Sequence, residues 1–442
     1  MDNYDLSKGS VQRHLFRLAL PIMASSAVSM SYQLADMFWL GRLGTNEVAA
    51  AASTGYVTWI FFAFVLVFRT GTEIGVGHHK GASDEEGMRH YVRTGLIAGG
   101  IFGLIFMALV LLTRHWIISF YGFSSEYLIG IATAYLSIVS LGLPAQVLNA
   151  IFTGIFTSYG DSKSPFRIQA TGLVLNIILD PIFIFGLDLG VRGAALATIT
   201  AQYITLMLFI LQRKKFPLLF LDLHWLRGLK TKVLAKILIW GVPIGLSSLF
   251  FSVCTLLITP LVISFGDNVF AAYEIGVQVE SIGWLTYSGF SSAMIAFTAQ
   301  NYGAKQYQRL SEGTFKATRL AVIFSIVVAT VLLVGSRSFV GIFLEDPVAV
   351  EAGTLYLKIA SISQLFSAME YVATGGLNGL GLTRYPSVNG IIFNALRIPL
   401  AYLLSHYFGL AGVFLAITIS ATLKGIFLYP LYLYQLKKVL RQ

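Results

Sequence analysis

Charge is scarce in this chain. Only 12% of its 442 residues are charged, 56% are hydrophobic, and the mean hydropathy is +0.74. Soluble domains carry about 25% charged residues, so a water-soluble globule is excluded. Cysteine is nearly absent. The single Cys254 lies in an apolar run, which excludes an internal disulfide framework and leaves it the role of small buried filler. No zinc-ligand spacing, Gly-rich phosphate loop or nucleophile elbow is present. The polar stretch Met1 to Gly9 has no cleavable signal pattern. The net charge of +10 reads as basic loops meeting anionic lipid, so no nucleic-acid partner is expected.

What the chain does have is apolar length. Twelve spans are expected near 14–41, 47–70, 92–114, 126–147, 165–186, 190–212, 238–264, 270–296, 314–336, 349–372, 386–406 and 409–434. The runs are continuous rather than alternating, which indicates helices and not a barrel. The 42 glycines suit close helix packing in lipid. An even number of spans puts both termini on one side. Taking the termini and alternate loops as inside collects 23 of the 31 basic residues, including Arg213, Lys214, Lys215, Arg227, Lys230, Lys232 and Lys236. That bias implies cytoplasmic termini and a cell (inner) membrane location.

The chain also repeats. Leu20-Pro21 recurs as Val242-Pro243, Gly44 as Gly266, and His78-His79-Lys80-Gly81-Ala82 aligns with Gln300-Asn301-Tyr302-Gly303-Ala304, all at an offset of 222. Later, Gly160 matches Gly381 and Gly190 matches Gly409. An even number of spans per repeat gives two halves of one orientation. The expected fold is therefore all-α: twelve transmembrane helices as two six-helix bundles, related by a pseudo-two-fold axis along the membrane normal. The N-lobe would be 1–212, a cytoplasmic linker 213–237, with Trp225 on a surface helix, and the C-lobe 238–442. A cavity between two such bundles is how alternating-access transporters are commonly built.

Asp36 stands well inside the first span, where an acid costs roughly 2.5–3.5 kcal/mol on insertion scales. The plainer alternative is an acid that snorkels to water. Tyr32 is one turn earlier on the same face. Asn176 and Asp180 are four residues apart in span five, and Pro181 frees carbonyls of the preceding turn. Thr198 can add a hydroxyl from span six, although a threonine bonded to its own helix is the simpler expectation. The repeat maps Asp36 onto Ile258 and Asp180 onto Ile398, so the fold does not demand these acids. Neutralising an ordinary carboxyl at pH 7 costs about 4 kcal/mol, comparable with the insertion penalty. Two neighbouring membrane acids therefore suit a proton switch, and with Asn176 the same oxygens could hold Na⁺.

Arg69 and Glu73 form an expected i,i+4 pair. Glu274, Glu280 and Glu370 lie in spans eight and ten, either paired with Lys358, Arg397 or Lys424 or lining a second cation or substrate site. Met30, Gln33, Met37, Phe61, Phe64 and Phe68 are candidates for lining a substrate cavity, with plain packing as the alternative. Pro21 is a candidate hinge in the first helix.

The motifs Leu34-Ala35-Asp36, Gly41-Arg42-Leu43-Gly44, Gly160-Asp161-Ser162-Lys163-Ser164-Pro165, Asn176 to Ile184 and Gly193 to Thr198 resemble the multidrug and toxic compound extrusion (MATE) family. The resemblance covers nearly the whole chain and is best to the branch that includes the DNA-damage-inducible F (DinF) proteins. It implies an exporter, not an enzyme, that exchanges amphipathic cationic drugs and dyes for H⁺ or Na⁺. It also implies a coupling site of Asp36, Asn176, Asp180 and Thr198 beside Tyr32, and bending of the first helix at Pro21. Members resembling the NorM-like branch carry an acid in span seven, and this chain has none between Trp240 and Phe265. That departure shifts the expectation to H⁺. Glu274 after Tyr273 resembles a span-eight glutamate of eukaryotic members. The expectation is a monomer with small-molecule substrates in membrane lipid, no cofactor and no fixed metal. The rival readings are a lipid-linked oligosaccharide flippase, a Na⁺-coupled exporter and a membrane-embedded enzyme.

Overall fold

The computed structural model describes residues 5–212 and 229–441, without the side chains of Gln33 and Tyr56. Most of the expected linker, with Trp225, lies outside the described residues. Those described are helical, with no strand. The helices are α1 (Val11–Leu43), α2 (Thr45–Ala52), α3 (Gly55–Gly81), α4 (Glu85–Ser119), α5 (Glu126–Ser140), α6 (Leu143–Tyr159), α7 (Lys163–Pro181) and α8 (Gly190–Gln212). After the linker come α9 (Thr231–Ile263), α10 (Asp267–Gly303), α11 (Tyr307–Gly341), α12 (Pro347–Gly379) and α13 (Arg384–Leu440). α13 is two helices broken at Gly409.

With α2–α3, α5–α6 and the halves of α13 counted as spans, this is a twelve-span membrane protein. Several helices outrun their apolar stretches, as with α4 at 35 residues and α10 at 37. Hydropathy marks the lipid, whereas a helix continues until a cap or glycine ends it. α4 begins where the Asp84 carboxylate accepts the Gly87 N–H at 2.9 Å. The fourth span bends by 42° between α5 and α6. Gly142 and Pro144 explain the bend: the first is flexible and the second cannot donate to the preceding turn.

The repeat is written into the backbone. Left-handed φ recurs at Gly160 (107°) and Gly381 (76°), at Gly190 (53°) and Gly409 (57°), and at Ser83 (56°) and Lys305 (56°). The first two pairs need glycine, since a Cβ disfavours that region. Side-chain size can instead be exchanged. A Cβ on Gly75 would meet the Tyr91 ring, and a Cβ on Gly313 would meet the Phe297 ring. The offset of 222 takes Gly75 to Phe297 and Tyr91 to Gly313, so glycine and ring have changed helices.

Contacts divide the chain into one unit spanning Leu20–Val242 and another of Leu6–Ala19 with Pro243–Gln442. The boundary expected across 213–237 differs from this division, which falls inside α1, just before Pro21, and inside α9, at Pro243. The first turns of each of these helices pack in the other repeat's unit. In the N-terminal unit the opening of α9 buries Ile237 completely, Trp240 stacks on Tyr91 at 6.0 Å, and Gly71 and Gly241 let the α3 and α9 backbones approach closely. In the C-terminal unit Leu15 is fully buried, Leu6 N–H donates to Gln300 Oε1 at 2.9 Å, and the Arg309 guanidinium donates to the Gly9 and Leu6 carbonyls.

Candidate functional site

Four elements of the N-terminal unit bring the intramembrane acids together. α1 carries Tyr32 and Asp36, α5 carries Tyr135, α7 carries Asn176 and Asp180, and α8 carries Thr198. Pro181 cannot continue the α7 hydrogen-bond ladder, and Ile182–Gly186 widens into a π-turn, a common device at functional sites. Gly190 reverses the chain with φ 53°. Gly193 then lets α8 run against that turn, because a Cβ there would sit 2.5 Å from the Phe183 carbonyl oxygen. This close packing sets the depth of Thr198.

Asn176 and Asp180 are fully buried, and Asn176 Nδ2 donates to Asp180 Oδ1 at 3.2 Å. Thr198 Oγ1 donates to Asp36 Oδ2 at 3.3 Å, in place of the bond to its own helix that sequence favoured. The Asp36 and Asp180 carboxyls are close enough to interact electrostatically. Tyr32 donates to the Thr198 carbonyl at 3.3 Å, not to Asp36 as its helix spacing suggested. It fastens α1 to α8 above the acid.

The site is rich in acceptors and poor in donors. Asp36 Oδ1, Asn176 Oδ1 and Asp180 Oδ2 are buried and accept no hydrogen bond from the described residues. Buried acceptors left so are costly, and two ionised carboxylates in contact repel. A proton shared between the carboxyls relieves both costs, and so does a small hard cation held by oxygens. Among the described residues no cluster of three or more His, Cys, Asp or Glu could hold a metal.

The sequence reading missed Tyr135, 6% exposed and within electrostatic reach of both Asp36 and Asp180. No motif surrounds it, and only the packing of α5 brings it to the site. The cavity candidates disperse. Phe61 is fully buried and stacks on Phe102 at 6.0 Å, so it faces no cavity. Phe64 and Phe68 tilt against the same Phe102 ring. Met30 is half-buried, Met37 is exposed, and the Gln33 side chain lies outside the described residues.

The second-half acids make no hydrogen bond to one another among the described residues. Glu280 is buried and accepts from Tyr356 at 2.5 Å and Gln364 at 3.1 Å. Glu370 is half-buried, while Glu274 and Lys358 are exposed. Arg69 and Glu73 do pair, at a loose 3.9 Å.

Comparison with known proteins agrees with this architecture. The multidrug export protein MepA of Staphylococcus saprophyticus is 26% identical over 427 residues, 95% of this chain and 93% of that protein. The probable multidrug resistance protein YpnP of Bacillus subtilis is 28% identical over 432 residues, covering 95% and 94%. Crystal structures of MATE in the straight and bent conformations superpose with TM-scores of 0.92 and 0.93 at 23% and 22% identity, each covering the whole of this chain and 100% and 99% of theirs. That likeness establishes the fold. A family model, MatE, matches residues 21–182 and again 243–403, one match in each repeat. This chain belongs to the MatE family, whose members are membrane transporters and not enzymes.

Proposed function

We propose that the protein is a proton-coupled multidrug exporter that exchanges amphipathic, mostly cationic compounds for H⁺ by alternating access. One observation carries the reading: two acids from different helices, Asp36 and Asp180, are close enough to interact electrostatically, and each has a buried oxygen that accepts no hydrogen bond from the described residues. One proton on the pair removes a like-charge repulsion that its loss restores. The export role draws on relatives named for multidrug export and resistance. The basic-residue bias supports cytoplasmic termini in the cell inner membrane. The proposed unit is a monomer that needs no cofactor.

Transport into everted vesicles tests the coupling. With an imposed pH gradient and no Na⁺, ethidium uptake is expected at full rate. Strict dependence on Na⁺ would refute the proton. Asn176 Oδ1 favours Na⁺ as the second reading, because a third oxygen helps a cation and does nothing for a proton.

A further inference from the structure

Two cations are buried over one ring in the C-terminal unit. Arg397 and Lys424, both on α13, are 7% and 8% exposed. The guanidinium carbon lies 5.6 Å, and the ammonium nitrogen 5.8 Å, from the Phe251 centroid. Arg397 Nε donates to Ser420 Oγ at 3.0 Å. Glu280 and Glu370 are within electrostatic range. Among the described residues, however, no ion pair within 4.0 Å joins either cation to an acid. Glu280 is already held by Tyr356 and Gln364. An internal ion-pair network would bring nitrogen and oxygen into contact, and this arrangement does not.

The repeat shows that the fold does not need these charges. Arg397 maps onto Leu179 and Lys424 onto Thr205, whose hydroxyl bonds its own helix at 2.8 Å. Unpaired buried cations inside a membrane protein are costly and mark function. The planar Arg fork and the Lys point charge together match a carboxylate or phosphate.

We propose that Arg397 and Lys424, held over Phe251, form an anion subsite for the acidic group of an amphipathic substrate. The proposal rests on the export reading and extends it from simple cations to zwitterions and acids. The test uses one fluorophore in two forms: rhodamine 6G, a cationic ester, and its free acid, rhodamine 19. Fluorescence polarisation on purified protein should show the acid binding roughly 10- to 100-fold more tightly than the ester, as one or two charge-assisted bonds supply. Arg397→Gln and Lys424→Met should each reduce that ratio toward one while keeping ester affinity. Equal affinities in the wild type would overturn the subsite and leave the export reading standing. Binding of neither dye would refute both. Because the wild-type ratio decides, the outcome does not depend on how well the variants fold. Phosphatidylglycerol added to the micelles separates two sources of the anion: competition for the acid dye assigns it to a lipid headgroup, and no competition assigns it to the dissolved substrate.

Discussion

Replacing Asp36 by Asn separates a coupling acid from a structural one. The side chain keeps its shape and loses its charge. Its amide can still accept from Thr198 Oγ1, and its NH₂ can donate to the orphaned Asp180 Oδ2. The variant therefore resembles the protein with a proton on Asp36 that cannot leave. Two unit charges about 4 Å apart at an effective dielectric near 20 repel by about 4 kcal/mol. Asn removes that repulsion from the deprotonated pair and adds a donor where one is lacking. The thermal midpoint in detergent should hold or rise. A structural acid would behave oppositely, since removing one partner of a buried pair costs about 3–5 kcal/mol.

Transport should nonetheless fail. A pump-deficient host carrying Asp36→Asn should be as drug-sensitive as one with empty vector, at normal protein levels. Proton release on adding ethidium to purified protein should be lost in the variant and present in the wild type. Full resistance from the Asn variant, or undiminished proton release, would refute the assignment of Asp36. A lowered midpoint with lost resistance would show a structural acid instead.

Thr198→Val removes the hydroxyl donor to Asp36 at nearly constant volume and should slow ethidium efflux about tenfold, measured in everted vesicles. Gly75→Phe should lower stability by about 1–3 kcal/mol through collision with Tyr91, and adding Tyr91→Gly should restore most of it in a double-mutant cycle of thermal midpoints. Tyr356→Phe takes a 2.5 Å bond from buried Glu280 and should cost about 1–3 kcal/mol in the same assay. Asp84→Ala should cost about 1 kcal/mol as a lost helix cap. The Gly87 N–H holds the Asp84 carboxyl below its usual range, so its contribution is present above about pH 4 and is lost as pH falls through the lowered value. A flat acid profile for the Asp84-dependent difference would contradict this.

Much of the architecture was legible because lipid imposes it. Apolar runs give the spans, and the repeated glycines at 160 and 381 and at 190 and 409 give the two halves. Asp36, Asn176, Asp180 and Thr198 were readable because a polar group in an apolar run is conspicuous. Tyr135 was not, since a tyrosine among Ala132, Leu136 and Ile138 looks like packing. The bond from Tyr32 to the Thr198 carbonyl was not legible, because helix spacing shows which residues share a face, not which carbonyl of another helix comes close. Phe61 was indistinguishable from Phe64 by composition, yet one is sealed against Phe102 and the other is partly open. The placement of the α1 and α9 openings was invisible for a similar reason. Leu15 and Ile237 are apolar in any packing, and only tertiary contacts say which bundle buries them.

The two repeats separate what the fold requires from what is added to it. Left-handed turns at matched positions and the exchanged glycine–ring pairs are required, because each half must close the same helices at the same places. The buried charges fall outside that set. Asp36 and Asp180 stand where the second half has Ile258 and Ile398, and Arg397 and Lys424 stand where the first has Leu179 and Thr205. The acid pair of the first half and the two cations over Phe251 in the second thus each stand where the twin is neutral. A duplicated scaffold of two alike bundles would give both the same chemistry. Opposite charges at unmatched positions instead suit a protein whose halves handle different groups, a proton on one and an acid on the other.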